Sequence, residues 1–335
     1  MTLAPLTRHA HDEEYEDLLS LWADLESGLS VLLARPLHVH DFSTKLRQFD
    51  RWLQDLVARD VDASLYLMFQ LASTSTVGYS ASHALVCGTL CHIMAREFSL
   101  PEHERNALVR AALTMNIGMT LLQDELAVQR EPLNSTQQKA VAEHPRVGQA
   151  LLEERDITDD LWLDLVSQHH GNVPLSTPLA QLKAEDRLTR LLGTIDRYAA
   201  MISPRKSRVG RSATDSVRAL VGQEIDQRDE VSLMLVRTVG LCPPGTFVRL
   251  DNGETAIVLR RGEKPNLPLV ASVLDAHGAH CSEPQMHTTA LGKPRIQSAL
   301  ARTAVSVDMN HRTMVRLGLY AAQRAATLVT QGGAV

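Results

Sequence analysis

The sequence predicts a mainly α-helical protein with a small β unit near its C-terminus. Apolar residues recur at three- and four-residue spacing through most of residues 14–236, which is the period of an amphipathic helix. The pattern changes to alternation within "CPPGTFVRLDNGETAIVLRRG", residues 242–262. There Asn252-Gly253 separates two strand-like segments, which is a typical signal for a tight hairpin.

The helical pattern divides into an N-terminal helical extension, residues 1–78, and a helical domain, residues 79–240. The extension is predicted to contain helices over 14–34, 41–60 and 61–77. In the second part, Ser135 and Gln138 in "NSTQQ" match a capping box, which predicts a helix start. Helices are predicted there over residues 82–98, 102–115, 118–129, 135–154, 158–170, 184–201 and 212–236.

The β unit is predicted to span residues 241–290, and a basic, partly helical tail to span 291–335. Phe247 and Arg249 should pair with Thr255 and Ile257 across the hairpin, because the side chains of a strand alternate between its two faces. The segment "LPLVASVLDAHG" that follows is expected to supply a third strand.

Composition narrows the classes of function. The net charge of −5 argues against general nucleic-acid binding. The N-terminus has no pattern of a signal peptide, and no apolar run reaches the length of a membrane-spanning helix. Four cysteines are too few for a disulfide framework in 335 residues. We therefore expect a cytoplasmic, bacterial-type protein with reduced thiols and no membrane insertion.

Five side chains are candidates for a metal site. Histidine is the commonest side-chain ligand of transition metals, and an isolated buried carboxylate is costly unless it is paired or coordinated. His169 and His170 are adjacent at the end of a predicted helix, although adjacent residues of a helix point in different directions. The complete set, expected to converge on one cavity, is His83, His144, His169, His170 and Asp196.

The order of these motifs resembles the HD-GYP type of the HD phosphohydrolase superfamily. The resemblance covers roughly residues 80–275 and includes His83, "HPRVG", "HH", "IDRYAAM" and "PPGTFVRLDNGETAIV". It implies an HD-type helical bundle that holds two or three metal ions and hydrolyses cyclic di-GMP. It also implies that the five candidate side chains are metal ligands.

The sequence departs from this family where catalysis is centred. Met115 and Asn116 stand in place of the His-Asp doublet, and Met119 in place of a lysine. Asn116 cannot supply the anionic bridge that two metal ions share, and a thioether is a poor ligand for iron or manganese. Gly171 and "NVPLSTPLAQL" replace the glutamate and the Gly-x-Gly-Tyr-Pro motif. These differences predict a catalytically degenerate member.

Two further groups remain open to more than one interpretation. In the loop of residues 203–211, Arg205, Lys206 and Arg208 are either phosphate-binding groups or a solvated basic surface. Cys87 and Cys91 follow His83 at spacings of four residues, so all three share one helix face. They form either a thiolate-containing metal or redox site or, as we favour here, a face of small buried side chains.

Three functions fit these observations. The first, which we favour, is a non-catalytic signalling protein that binds a cyclic dinucleotide or a protein partner. The second is a metal-dependent phosphohydrolase that works with a reduced metal site, and the third is a scaffolding module. One divalent ion, iron, manganese or zinc, is the candidate cofactor, and a homodimer is the candidate assembly.

Overall fold

The computed structural model describes residues 11–74, 78–203, 213–221, 229–307 and 310–332. Its helices form a bundle, and a small antiparallel sheet follows near the C-terminus, so the predicted mainly α fold class is confirmed. The helices of the bundle are α1 (His11–Ala34), α2 (Phe42–Arg59), α3 (Val61–Thr74), α4 (Tyr79–Glu97), α5 (Glu102–Thr114), α6 (Thr120–Val128), α7 (Ser135–Glu154), α8 (Asp160–Gln168), α9 (Ala184–Ile202), α10 (Ala213–Val221) and α11 (Glu230–Val239).

Helix α4 is the central element of the bundle. Its side chains from Ser80 to Ala95 are buried on every face, as expected for a helix surrounded by other helices. It packs against α1, α2, α3, α5, α6, α9 and α11. His83, in its first two turns, is therefore held by the core of the protein and not by a surface loop.

A buried polar cluster joins α4 to two neighbouring helices. Asp50 of α2 lies 3.1 Å from His92 of α4 and 3.1 Å from Arg110 of α5, and its side chain is only 4% exposed. A buried carboxylate without partners would cost several kcal/mol, about the size of a protein's whole stability margin. The cluster therefore constrains how these three helices pack.

One helix cap and one helix differ from the sequence prediction, although α7 spans Ser135–Glu154 as predicted. The capping box of α7 is formed by Asn134 and Gln137, one residue earlier than the predicted pair Ser135 and Gln138. The helix predicted over 212–236 corresponds to two helices among the described residues, α10 and α11. Asp229 caps α11 by accepting hydrogen bonds from the backbone of Val231 and Ser232, which marks a new helix start.

The sheet contains the predicted hairpin and two strands that the alternation did not indicate. Phe247 pairs with Ile257 and Arg249 with Thr255, as predicted, and the turn residue Gly253 has a φ of +88°. The strand order is β4-β3-β2-β1-β5. The strands are β1 (Phe247–Leu250), β2 (Thr255–Arg260), β3 (Leu269–Leu274), β4 (His280–Thr288) and β5 (Ile296–Leu300).

The sheet extends past residue 290, where the sequence predicted that the tail would begin. β5 pairs antiparallel with β1, and Phe247 lies opposite Leu300. Both β4 and β5 are edge strands with many exposed polar side chains, so neither has a clear apolar alternation. Helix α12 (His311–Gly332) follows the sheet.

Ion pairs attach the sheet to the N-terminal helices. Arg260 lies 2.7 Å from Asp60 and 3.1 Å from Asp62, and Arg261 lies 2.6 Å from Asp62. Ile257 and Leu259 belong to the same hydrophobic cluster as the helices. Sheet and bundle therefore share one core.

The predicted domain boundaries at residues 78 and 240 stay predictions. Among the described residues, no helix has the length and apolarity to cross a membrane.

The position of the α7 cap can be tested by a pair of substitutions. Asn134→Ala should lower the free energy of unfolding by about 1 kcal/mol, because the cap satisfies an otherwise unpaired backbone N–H. Ser135→Ala should change it by less than about 0.5 kcal/mol, since this exposed side chain is outside the box. Urea denaturation measures both. A larger loss for Ser135→Ala would favour the predicted cap instead.

Candidate metal centre

The five predicted ligands lie in two compact groups, on helices α4, α7 and α9 and in the turn that follows α8. His144, His169 and His170 form the first, here called the histidine cluster. His83 and Asp196 belong to the second together with Cys87, here called the α4–α9 group. Within each group, ligand atoms lie within 4.8 Å of one another. The sequence predicted that all five ligands would converge on one cavity. For Cys87, the interpretation favoured from sequence was a small buried side chain.

The orientation of His144 follows from the proline after it. Pro145 has no N–H, so the carbonyl of Val141, four residues earlier, loses its usual helical donor. The Nδ1 of His144 donates to that carbonyl at 2.6 Å. The His-Pro pair thus uses a gap in the helix hydrogen bonds to orient an imidazole, which is only 1% exposed.

His169 is oriented in an equivalent way at the end of α8. Its Nδ1 donates to the carbonyl of Val166 at 2.7 Å, in the last turn, where helix carbonyls lack backbone donors. Gly193 of α9 allows close approach of this turn, because a Cβ there would lie 3.0 Å from the carbonyl oxygen of His169. Two helix irregularities therefore aim two histidines at the same point.

The two imidazoles face each other through their Nε2 atoms, which are 3.1 Å apart. Since a carbonyl oxygen can only accept, both Nδ1 atoms carry the proton, and in the neutral rings both Nε2 atoms present a lone pair. Neither can then donate to the other. A cation between or beside them, either a proton or a metal ion, would relieve the repulsion between the two lone pairs.

Electrostatics disfavours the proton. Burial, followed by the nearby His170, lowers the pKa of His169 to about 3. Burial likewise lowers the pKa of His144. With metal–nitrogen bonds of roughly 2.1 Å, neighbouring ligand nitrogens lie about 3.0–3.4 Å apart, which is close to the observed separation. Metal-binding histidines also commonly donate the other ring nitrogen to a carbonyl. The donor set fits one transition-metal ion.

The α4–α9 group is centred on a hydrogen bond between the side chains of His83 and Asp196. His83 Nε2 lies 2.9 Å from Asp196 Oδ1, and the ring of Tyr79 stacks on His83 with centroids 5.6 Å apart. Burial alone would raise the pKa of Asp196, but the hydrogen bond and charge of His83 outweigh it and lower the pKa to about 2. His169 and His170 contribute to the same lowering, so the two groups are electrostatically coupled.

The segment of residues 115–119 packs directly against the histidine cluster. Met115 is 1% exposed, and Ile117–Met119 form a single 3₁₀ turn. A Cβ on Gly118 would lie 2.4 Å from the carbonyl oxygen of His144, so this turn and α7 are in backbone contact. Residues 115–119 contain no carboxylate. This segment therefore offers no anionic bridge between two metal ions.

The loop after the histidine pair is held by a side chain that sequence reasoning missed. Arg190 of α9, 4% exposed, donates to the carbonyls of Leu175 and Thr177 and to the carboxylate of Asp229. In the sequence, the signal for this role was the position of the charged Arg190 among the apolar residues of α9. The predicted phosphate-binding residues Arg205, Lys206 and Arg208 lie outside the described residues, so their role stays a prediction.

Comparison with known proteins agrees with the sequence motifs. No family model matches the chain. A stretch of 185 residues is 24% identical to the cyclic di-GMP phosphodiesterase PA4108 of Pseudomonas aeruginosa, covering 55% of this chain and 45% of that protein. The chain spans about half the length of that relative.

Among solved structures, the chain resembles Bd1817, a HDG"Y"P protein from Bdellovibrio bacteriovorus. The superposition has a TM-score of 0.47 and 11% sequence identity, and it covers 64% of this chain and 68% of that one.

The contact between Gly118 and α7 predicts a strong effect of a single methyl group. Gly118→Ala should destabilise the protein by about 1–3 kcal/mol, because two backbone segments must separate to admit it. It should also lower metal binding by the histidine cluster. Gly28→Ala is the control, since its Cβ would only touch Phe49 at 3.9 Å, and alanine suits a helix. Equal stability of both variants would contradict this packing.

The low pKa of His169 predicts a pH-dependent stability of the metal-free protein. Between about pH 6.5 and pH 3 the unfolded chain binds a proton at this residue that the folded chain excludes. The free energy of unfolding should therefore fall as pH falls, by up to about 1.4 kcal/mol per pH unit.

Urea denaturation in the presence of a chelator, at a series of pH values, measures this slope. His169→Gln should flatten it. His103→Gln, at an exposed position of α5, should leave it unchanged. A wild-type slope no steeper than that of His169→Gln would rule out a buried neutral imidazole at this position.

Proposed function

We propose that this chain is a signalling protein of the HD superfamily that binds a metal ion but does not hydrolyse cyclic dinucleotides. The observation that carries the proposal is the contrast between two adjoining segments. The histidine cluster keeps a geometry suited to a metal ion, whereas the turn packed against it carries Met115, Asn116 and Met119 in place of catalytic groups.

The histidine cluster supports the binding half of the proposal. His144, His169 and His170 would hold one divalent ion, iron, manganese or zinc, and three neutral imidazoles leave positions open for water or a ligand. When bound, such an ion polarises phosphate oxygens and lowers the pKa of bound water. His144 and His169 are oriented for this role by carbonyls of their own helices.

The degenerate turn supports the non-catalytic half. Asn116 offers a neutral carbonyl oxygen, which cannot replace a carboxylate shared by two ions. Met119 can neither donate a proton nor neutralise phosphate charge. Enzymes commonly supply about 8–23 kcal/mol of transition-state stabilisation, and the missing groups are those that would contribute to it. We therefore propose binding without turnover.

The ligand is proposed to be a cyclic dinucleotide, or a protein partner in cyclic-dinucleotide regulation. The name of the relative, a cyclic di-GMP phosphodiesterase, supports this choice of ligand class. Free thiols at Cys87, Cys91, Cys242 and Cys281 favour a cytoplasmic location. A homodimer also belongs to the proposal.

A phosphohydrolase with a reduced metal site is the second candidate. The observation in its favour is that the histidine cluster has open coordination positions even without the doublet. A scaffolding module is the third, and it would bind neither metal nor nucleotide. Nucleotide binding separates the first candidate from the third, and turnover separates the second from both.

Turnover is expected to be negligible. Purified protein supplied with manganese, iron or magnesium should not hydrolyse cyclic di-GMP above the rate of the His169→Ala variant, while the wild type alone retains metal after dialysis. Product chromatography and elemental analysis measure the two properties. Turnover that is comparable to an active phosphodiesterase and abolished by His169→Ala would favour the second candidate and overturn this proposal.

Restoring the missing groups gives the matched gain-of-function variant. Met115→His combined with Asn116→Asp and Met119→Lys should raise the number of metal ions retained per chain, because a bridging carboxylate and a further imidazole are added. Met119→Lys alone is the control, since it adds no ligand and should leave the metal content unchanged.

A further inference from the structure

A small cavity, here called the α6–α7 cavity, lies between α6, the loop that follows it and α7. Its volume is about 300 Å³, at the lower end of the range of roughly 300–1,000 Å³ that is typical of ligand pockets. The predicted metal ligands are not among the described residues that line it, so the cavity is separate from the histidine cluster. Five apolar side chains form most of its wall: Met119, Leu126, Pro132, Leu133 and Val141.

One buried polar atom at this cavity has no hydrogen-bond partner. Gln123 of α6 lines the cavity and is 5% exposed, and its Oε1 accepts no hydrogen bond from any described residue. Leu126, three residues later on the same face of the helix, is part of the apolar wall beside it. A buried acceptor that lacks a donor costs free energy. An N–H or O–H group of a ligand in the cavity would remove this cost.

Hydrogen bonds hold the loop that closes one side of the cavity. Gln129, at the end of α6, donates through Nε2 to the carbonyl of Glu131 at 3.0 Å and accepts through Oε1 from Gln137 Nε2 at 2.8 Å. Gln137 belongs to the capping box of α7 and also donates to Glu125 of α6. The loop is therefore tied to both helices. A cavity that is already formed loses less entropy when a ligand enters it.

The lining favours a neutral aromatic ligand. Among the described residues that line the cavity, only Arg130 and Glu131 are charged, and they are exposed and opposite in sign. The cavity therefore supplies no net charge to hold an ion. Its apolar wall favours an apolar body, and the thioether of Met119 packs favourably against the edge of an aromatic ring. Gln123 adds the need for one hydrogen-bond donor.

We infer that the α6–α7 cavity binds a small neutral aromatic molecule, of the indole or phenol type, whose N–H or O–H group donates to Gln123 Oε1. This ligand is additional to the metal ion and the nucleotide of the proposed function. Its binding requires neither of them, because no group of the histidine cluster takes part in it.

Indole and indene are a matched pair of probes, because the two bicyclic molecules have similar shapes and only indole has an N–H donor. Isothermal titration calorimetry of the full-length wild-type chain, with a chelator present, should show that indole binds about tenfold more tightly than indene. Indene is the more apolar molecule, so the hydrophobic effect alone predicts the opposite order. Equal affinities, a preference for indene, or no binding of either probe would overturn the inference.

A substitution at the acceptor tests the role of Gln123. Gln123→Met removes the acceptor and keeps an unbranched side chain of similar size, so indene should then bind at least as tightly as indole. Gln149→Met is the matched control, since Gln149 lies on α7 outside the lining, and it should keep the tenfold preference. A preference for indole that persists in Gln123→Met would overturn the inference.

A measurement on the unaltered chain guards against a variant that does not fold. Nuclear Overhauser contacts in the wild type should connect the ring protons of indole to the methyl groups of Met119, Leu126 and Val141. Contacts only with methyl groups outside the lining would place the ligand elsewhere and overturn the inference.

The His169→Ala variant separates this inference from the proposed function. It should lose the metal ion of the histidine cluster and still bind indole with the wild-type affinity. Metal retention without indole binding in the wild type would overturn the cavity site and leave the proposed function intact. Loss of indole binding in His169→Ala would show that the two sites are not separate.

Indole binding by a wild-type chain that retains no metal would have the reverse meaning. It would support the α6–α7 cavity as a ligand site and overturn the metal-binding half of the proposed function. The two proposals can therefore fail independently.

Discussion

The geometry of the histidine cluster depends on two backbone carbonyls that lack helical donors. Pro145 frees the carbonyl of Val141, and the end of α8 frees that of Val166. Each accepts the Nδ1 proton of a histidine, which leaves two Nε2 lone pairs facing each other at 3.1 Å. The same two hydrogen bonds therefore satisfy the backbone carbonyls and orient the two candidate ligands. A change at either carbonyl would also displace the histidine that is bonded to it.

Packing brings residues 115–119 and the histidine cluster into one unit. Gly118 permits contact between the turn of residues 117–119 and α7, and Gly193 permits contact between α9 and the turn of His169. Met115 is buried in the shared core, so residues 115–119 are packed as firmly as the helices around them.

The two groups of donors differ in charge. In the histidine cluster, burial holds the pKa of His169 far below its usual value. The α4–α9 group contains the carboxylate of Asp196, whose pKa the hydrogen bond from His83 lowers despite burial. The two groups interact through this charge. Each therefore suits a cation in a different way, one by directed lone pairs and the other by charge neutralisation.

The sequence alone determined the helices and the hairpin, because side-chain period and the Asn252-Gly253 turn depend on local residues. It also identified the histidines through their motif order. The pairing of β5 with β1, the grouping of Cys87 with Asp196 and the role of Arg190 were decided only by tertiary structure. Each depends on contacts between residues distant in the chain, and a local pattern contains no information about which distant partner a side chain will meet.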